Sequence, residues 1–398
     1  MRPAPRGSAK ILVVGAGVGG ISIARGLLRD GHDVTVFERR PALQAGGGAV
    51  TIWSNGETVL GQLGVVMAGA GQLLSTVRVA TSTGRPLATL DVTAIVNRLG
   101  APVRMVPRRV LLERLLEGFP AERVRCDAHV VGVVAEDAGV RVDFADGSCA
   151  RGDLVIGADG LHSTVREIVG APRAVPTGWC SWQGLGVLPD GVDRCVAAVI
   201  VGEQGNLGLW PAGRSEVQWW FDLPWSPDFV RPERPIDLIR ASFTGWSAPV
   251  DRVLASLTDD DLAHSPYPHF RHPIPGPGRG PITLLGDAAH TMPPTLAQGT
   301  NQALLDTMVL CKALSGAHSD LSAALRWYEN TRRRRVAAVS RVASLQVSHG
   351  EAVLRPAAMV SDRFMTWALA SFLRASSHRR LAAEISSALA AATTCRQS

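Results

Sequence analysis

Three short glycine–acid motifs hold the chemistry legible in this chain. Residues 10–40 read KILVVGAGVGGISIARGLLRDGHDVTVFERR, and Gly15, Gly17 and Gly20 form G-x-G-x-x-G. In such a turn the first glycine makes the bend, the second admits a pyrophosphate close to the backbone, and the third lets helix and strand pack tightly. Free N–H groups and partial positive charge at the helix start favour a phosphate. Glu38 ends the next apolar run, where a carboxylate accepts hydrogen bonds from a ribose diol and repels a 2′-phosphate. The spacing predicts a dinucleotide site unsuited to NADP, and by itself it does not separate FAD from NAD.

Residues 153–166, DLVIGADGLHSTVR, place Asp159-Gly160 after a second apolar run, with Ser163 and Arg166 following. Residues 282–306, ITLLGDAAHTMPPTLAQGTNQALLD, place Gly286-Asp287 after a third. Asp287 at a strand end is a suitable acceptor for sugar-alcohol hydroxyls. A helix beginning near Gln298-Gly299-Thr300 would aim its N-terminus at developing negative charge, as an anion-stabilising site. Pro293 and Pro294 stiffen the turn before it.

These motifs need strands and helices to carry them. Ile11–Val14, Asp33–Phe37, Leu154–Ile156 and Ile282–Leu285 read as buried strands, and Ile21, Ala24, Leu27 and Leu28 recur at helical spacing. The fold class is α/β: a Rossmann-like dinucleotide-binding domain, an inserted antiparallel β-sheet substrate domain and C-terminal helices. Its expected bounds are 1–77, 101–176 and 267–345 for the first domain, 78–100 and 177–266 for the second, and 346–398 for the helical segment. Residues 177–266 are strand-rich. Val217, Trp219 and Phe221 alternate there with Gln218, Trp220 and Asp222. That sheet is expected to roof the active site, with Trp182, Trp210 and Trp219 lining an apolar pocket for a planar substrate.

Taken in order, the three motifs make the chain resemble the group A flavoprotein monooxygenases, the family of p-hydroxybenzoate and salicylate hydroxylases, up to about residue 345. PRRVLLERLL at 107–116 resembles the family's R-x-x-L-x-x-x-L segment, and WCSWQGL at 179–185 its W-x-G strand. The resemblance implies FAD held by Gly15, Gly17, Gly20, Glu38, Arg39, Gly48, Ala49, Arg108, Asp159, Asp287, Gln298, Gly299, Thr300 and Asn301. Arg109 is the other register for the flavin-contacting arginine. Pro293 and Gly299 are implied at the flavin face where oxygen reacts, with Pro293 also touching substrate. Gly46-Gly47-Gly48-Ala49 would give the ring a small-residue corridor in which to move.

The implied activity is FAD-dependent monooxygenation. NADPH or NADH serves as transient co-substrate with O2, and an aromatic or polycyclic molecule is hydroxylated or epoxidised through a flavin C4a-hydroperoxide. A flavin dehydrogenase or oxidase that inserts no oxygen is the alternative. The Arg-for-Lys bias and Ala richness associate the chain with natural-product chemistry in high-GC bacteria.

Composition sets the remaining limits. The 398 residues are 46% hydrophobic and 19% charged, enough for a large core. Residues 331–398 carry a net +8 and the rest −2, so the body offers no nucleic-acid channel, and the basic tail reads as a solvated helical face. Six scattered cysteines include no C-x-x-C pair, and the local cluster His264, His269 and His272 lies in a Pro-rich stretch, so no metal site is expected. No apolar run is long enough to span a membrane. A cytoplasmic protein is expected, with a homodimer through the C-terminal helices as one option.

Overall fold

The structure is a computed structural model that describes residues 8–375, apart from 138, 188–192, 214, 277, 279, 316–319 and 346–358. Its centre is a five-stranded parallel sheet. The strand order is Ile282–Leu284, Leu154–Gly157, Lys10–Val14, Asp33–Phe37, Val124–Arg125. Both faces of a parallel sheet are covered, which is why these strands are continuous apolar runs. Ile11, Val13, Val34, Val36 and Ile156 are fully buried, each worth about 1.5–3 kcal/mol of burial. Helix Val18–Arg29 and the long helix Gly299–Ser315 pack together on one face. Each of the three motifs therefore leaves the carboxyl end of a central strand, the edge at which open α/β sheets bind ligands.

A second, seven-stranded sheet forms the roof. Its order is Tyr267–Arg271, Val175–Val187, Glu216–Pro224, Asn206–Pro211, Val196–Val201, Thr76–Thr81, Pro86–Asp91. The boundaries expected at 176 and 266 both fall inside this sheet. Val175 and Pro176 already pair with Arg271 and Phe270, so the roof includes 175–176 and 267–271. The prolines at 266 and 268 are compatible with this strand because an edge strand tolerates the missing donor of a proline.

One face of the roof is dry. Trp182, Trp219, Phe221, Leu207 and Leu209 pack there against helices Pro235–Phe243 and Ala248–Ser256. The opposite face meets the flavin-side domain. Helix Asp362–Ala375 lies on the roof's far edge, with Ala370 and Leu373 in the core and Thr366 accepting from the Asp91 N–H. The rest of the expected C-terminal segment lies outside the described residues. No helix among the described residues is long and apolar enough to cross a membrane.

Candidate active site

The glycine turn has the expected division of labour in its geometry. Gly15 has φ +100°, and a Cβ there would sit 2.5 Å from the Ala158 carbonyl oxygen. A Cβ on Gly20 would lie 1.8 Å from the Gly15 oxygen, so only glycine allows the helix to start so close to its strand. A Cβ on Gly17 would meet nothing within 4 Å, which leaves open room for a diphosphate beside the helix N-terminus. Glu38 accepts from the Ala16 N–H at 3.0 Å and the Arg40 N–H at 3.0 Å, so its carboxylate is fixed beside the turn. Arg39 is exposed. Glu38→Gln loses charge on one acceptor position, and the dissociation constant for FAD should rise about fivefold, roughly 1 kcal/mol. Fluorescence titration of the apoprotein checks this; an unchanged constant would mean that Glu38 takes no part in holding the ribose.

Asp287 stands out from its surroundings. Gly286, Ala288, Ala289 and His290 are buried, while the Asp287 side chain is exposed to the cleft and hydrogen-bonds to no described residue. Its Oδ1 lies 3.8 Å from where a Gly299 Cβ would be, at the first turn of helix Gly299–Ser315. The Gln302 N–H donates to the Gln298 oxygen as that helix starts, which leaves earlier amides free to meet an anion. Ala297 precedes it at φ +49°, a strained conformation held by the Asn301 amide donating to the Ala297 oxygen at 2.9 Å. Asn301 is fully buried, accepts from the Trp53 N–H and donates to the Thr51 oxygen. Gln298 is likewise buried against Asn55 and Gln302. Of the four residues 298–301, then, Gly299 and Thr300 offer their backbone to the cleft, and the side chains of Gln298 and Asn301 build the turn.

Arg108 and Arg109 diverge. Arg109 makes an exposed ion pair with Glu216. The Arg108 guanidinium approaches Gly46, its Nη1 3.9 Å from a would-be Cβ. Protein atoms crowding the otherwise solvent-exposed Arg108 side chain lower its pKa by desolvation, opposed by the nearby Asp287 carboxylate and Tyr267. The geometry thus favours the Arg108 register. Gly48 has φ +83°, its oxygen accepts from the Arg108 N–H, and a Cβ would stand 3.0 Å from Gln218 Oε1. The same Gln218 oxygen accepts from the Ala49 N–H at 2.6 Å, tying the roof to the glycine loop.

Asp159 faces inward onto the start of helix Thr164–Ile168. It accepts from Ser163 Oγ at 2.5 Å and the Val165 N–H at 3.2 Å, and burial raises its pKa against those bonds. It shapes the turn, and its oxygens are already engaged. Arg166, fully buried, donates to the oxygens of Pro172, Pro273, Ala288 and Ala289, and burial lowers its pKa to about 10. It clamps the second motif to the third. Behind the third motif, Asp306 accepts from the Gly286 N–H at 2.9 Å, from His290 Nε2 at 2.5 Å and from Arg332 Nε at 2.6 Å. His290 thus points into this buried cluster. Pro293 is buried at the head of the turn Pro294–Leu296.

The roof corrects the substrate set. Trp182 and Trp219 lie on the dry face among the two covering helices, away from the cleft. Trp210 lies on the cleft-side face, packed with Trp53, Met105 and Trp220. Trp220, passed over in the sequence, has its ring centroid 6.0 Å from that of Trp210. Its partners in alternation, Gln218 and Asp222, are the polar signal that could have marked this face. On the same face Ser181 Oγ sits 2.7 Å from His269 Nε2 and hydrogen-bonds Asp222, which in turn accepts from Asn206. Asn206 accepts from the Trp220 indole at 3.2 Å. This cluster draws on four strands and had no motif to reveal it.

A family model described as "FAD binding domain" matches residues 8–343. A 3-amino-4-hydroxybenzoate 2-monooxygenase of Streptomyces platensis is 33% identical over 346 residues, covering 83% of this chain and 86% of that protein. An aurachin C monooxygenase/isomerase of Stigmatella aurantiaca is 31% identical, covering 82% and 85%. A Klebsiella pneumoniae protein crystallised with FAD and uric acid superposes with a TM-score of 0.85 at 27% identity, covering 94% of this chain and 98% of that one.

Proposed function

Because this chain belongs to the FAD-binding-domain family of FAD-dependent monooxygenases, we propose that it inserts oxygen into a planar aromatic or polycyclic small molecule at the cleft between roof and central sheet. The observation that carries the substrate class is the cleft-side roof face, where Trp210 and Trp220 stand beside the polar Gln218 and Asn206. Flat apolar walls with a few fixed polar groups select flat, partly polar ligands.

The site residues fit FAD. Gly17 leaves the diphosphate room, Glu38 is fixed beside the ribose position, and Asp287 is an unpaired acceptor where a ribityl chain would run. The amides at Gly299 and Thr300, with Arg108, supply positive potential at the other end. FAD supplies the oxygen chemistry when bound, reduced by NADPH or NADH and reacting with O2. The chain orients substrate with the Trp210–Trp220 wall and fixes polar direction with the Asp222–Ser181–His269 cluster. Met292, Pro293 and the turn Pro294–Leu296 exclude water from one side.

The test is a panel of aromatic and polycyclic compounds scored by stimulated NAD(P)H consumption under 18-O2. One labelled oxygen atom in the product is expected. Oxidised product carrying no label, from every responsive compound, would instead make the chain a flavin dehydrogenase or oxidase.

A further inference from the structure

A groove of about 1320 Å³ lies between helix Leu321–Ser344 and the end of the roof's edge strand. The Pro-rich loop borders it. Met292 packs on Val336 and Val339 of that helix, and Thr295 donates to the Ala343 oxygen. Thr291, in the same loop, gives its N–H to His272 Nδ1 on the groove wall and its hydroxyl to the Asp287 oxygen. One loop therefore joins the groove's wall to the floor of the cleft.

The groove's charge is one-sided. Arg333, Arg334 and Arg341 line it from the helix, and Arg271 lines it from the strand. Ala337, Ser340 and Ser344 recur at helical spacing along the same face and keep the floor low. Among the described residues, no acidic side chain lines it and none of the four arginines has an ion-pair or hydrogen-bond partner. Other arginines of this helix are engaged: Arg326 with Glu329, and Arg332 with Asp306. A merely solvated helix face would not draw in a fourth arginine from a strand some sixty residues earlier in sequence, nor would it be concave. Four like charges in one hollow repel until an anion of matching charge enters.

The reaction proposed above needs a nicotinamide nucleotide, and the chain has one dinucleotide turn, where Glu38 disfavours a 2′-phosphate. Resting on that monooxygenase reading, we propose that this arginine groove docks the pyrophosphate and 2′-phosphate of NADPH. A pyrophosphate brings two negative charges, and a 2′-phosphate adds about 1.5–2 more, which matches four arginines better than NADH does.

Calorimetry on the FAD-loaded protein, with 2′,5′-ADP, NADP⁺ and NAD⁺ as probes, tests this. Wild type should bind 2′,5′-ADP and prefer NADP⁺ over NAD⁺. Arg333→Ala/Arg334→Ala should raise the 2′,5′-ADP and NADP⁺ dissociation constants by about tenfold, and Arg271→Ala, on a separate element, should weaken both as well. FAD content reports that the variants are folded. Equal affinities of wild type and both variants, or NAD⁺ binding as tightly as NADP⁺, would overturn the site. If NADPH drives oxygen incorporation while the variants bind like wild type, the groove assignment alone falls. If no compound stimulates nucleotide consumption yet the variants lose 2′,5′-ADP, the groove stands and the monooxygenase reading falls.

Discussion

Asp306→Ala is expected to cost about 3–5 kcal/mol of stability. The side chain is fully buried and accepts from Arg332, His290 and the Gly286 N–H. Removing it leaves the Arg332 guanidinium, itself 3% exposed, as an uncompensated buried charge. Arg332 also donates to the Gln302 side chain at 2.7 Å, so the loss spreads along helix Gly299–Ser315. Denaturant midpoints measure the effect, and a loss below about 1 kcal/mol would contradict this account. Replacing both partners with apolar residues of similar volume, Asp306→Leu/Arg332→Met, should be less damaging than Asp306→Ala, since no charge is stranded.

The same cluster sets an acid limit. Burial alone would raise the Asp306 pKa; the charges of His290 and Arg332 and their hydrogen bonds outweigh it and hold the carboxyl at about 2. The folded pKa lies below the unfolded value of about 3.9. The stabilisation is therefore present above about pH 4 and is lost as the pH falls through about 2. An Asp306→Ala protein should show a flatter stability curve in that window. Because Asp306 also fixes the Gly286 N–H, one residue before Asp287, the variant should bind FAD less tightly as well.

Asp287→Ala is expected to raise the FAD dissociation constant by about 10- to 150-fold, roughly 1.5–3 kcal/mol, with little change in fold stability. The carboxylate makes no hydrogen bond to a described residue, and Arg108, whose charge it faces, is solvent-exposed, so its removal strands no buried group. That asymmetry separates it from Asp306→Ala, where stability falls first. Titration of apoprotein with FAD, read beside a denaturation curve, distinguishes the two. A variant that binds FAD like wild type would remove Asp287 from the cofactor site; one that unfolds would show that its carboxylate serves the fold.

Local pattern determined a good deal of this protein. The glycine turn is readable because only glycine tolerates a carbonyl oxygen 1.8 Å from a would-be Cβ at Gly20, and that demand is written in residue type. The buried strands were legible as apolar runs, and Asp287 and Glu38 as acids at their ends, because a parallel sheet buries both faces and presents its carboxyl edge to ligands. Tertiary structure alone decided the rest. Alternation divides the roof's tryptophans into two faces, but which face meets the flavin domain depends on where two helices dock, and they dock over Trp182 and Trp219. The edge strand Tyr267–Arg271 was hidden by its prolines and joins the roof only through pairing with Val175–Val187. Asp306 and Arg332 lie 26 residues apart on different helices, and Ser181, Asn206, Asp222 and His269 on four separate strands. Short-range spacing records the bends a backbone must make; which distant polar groups share one dry volume is set by packing.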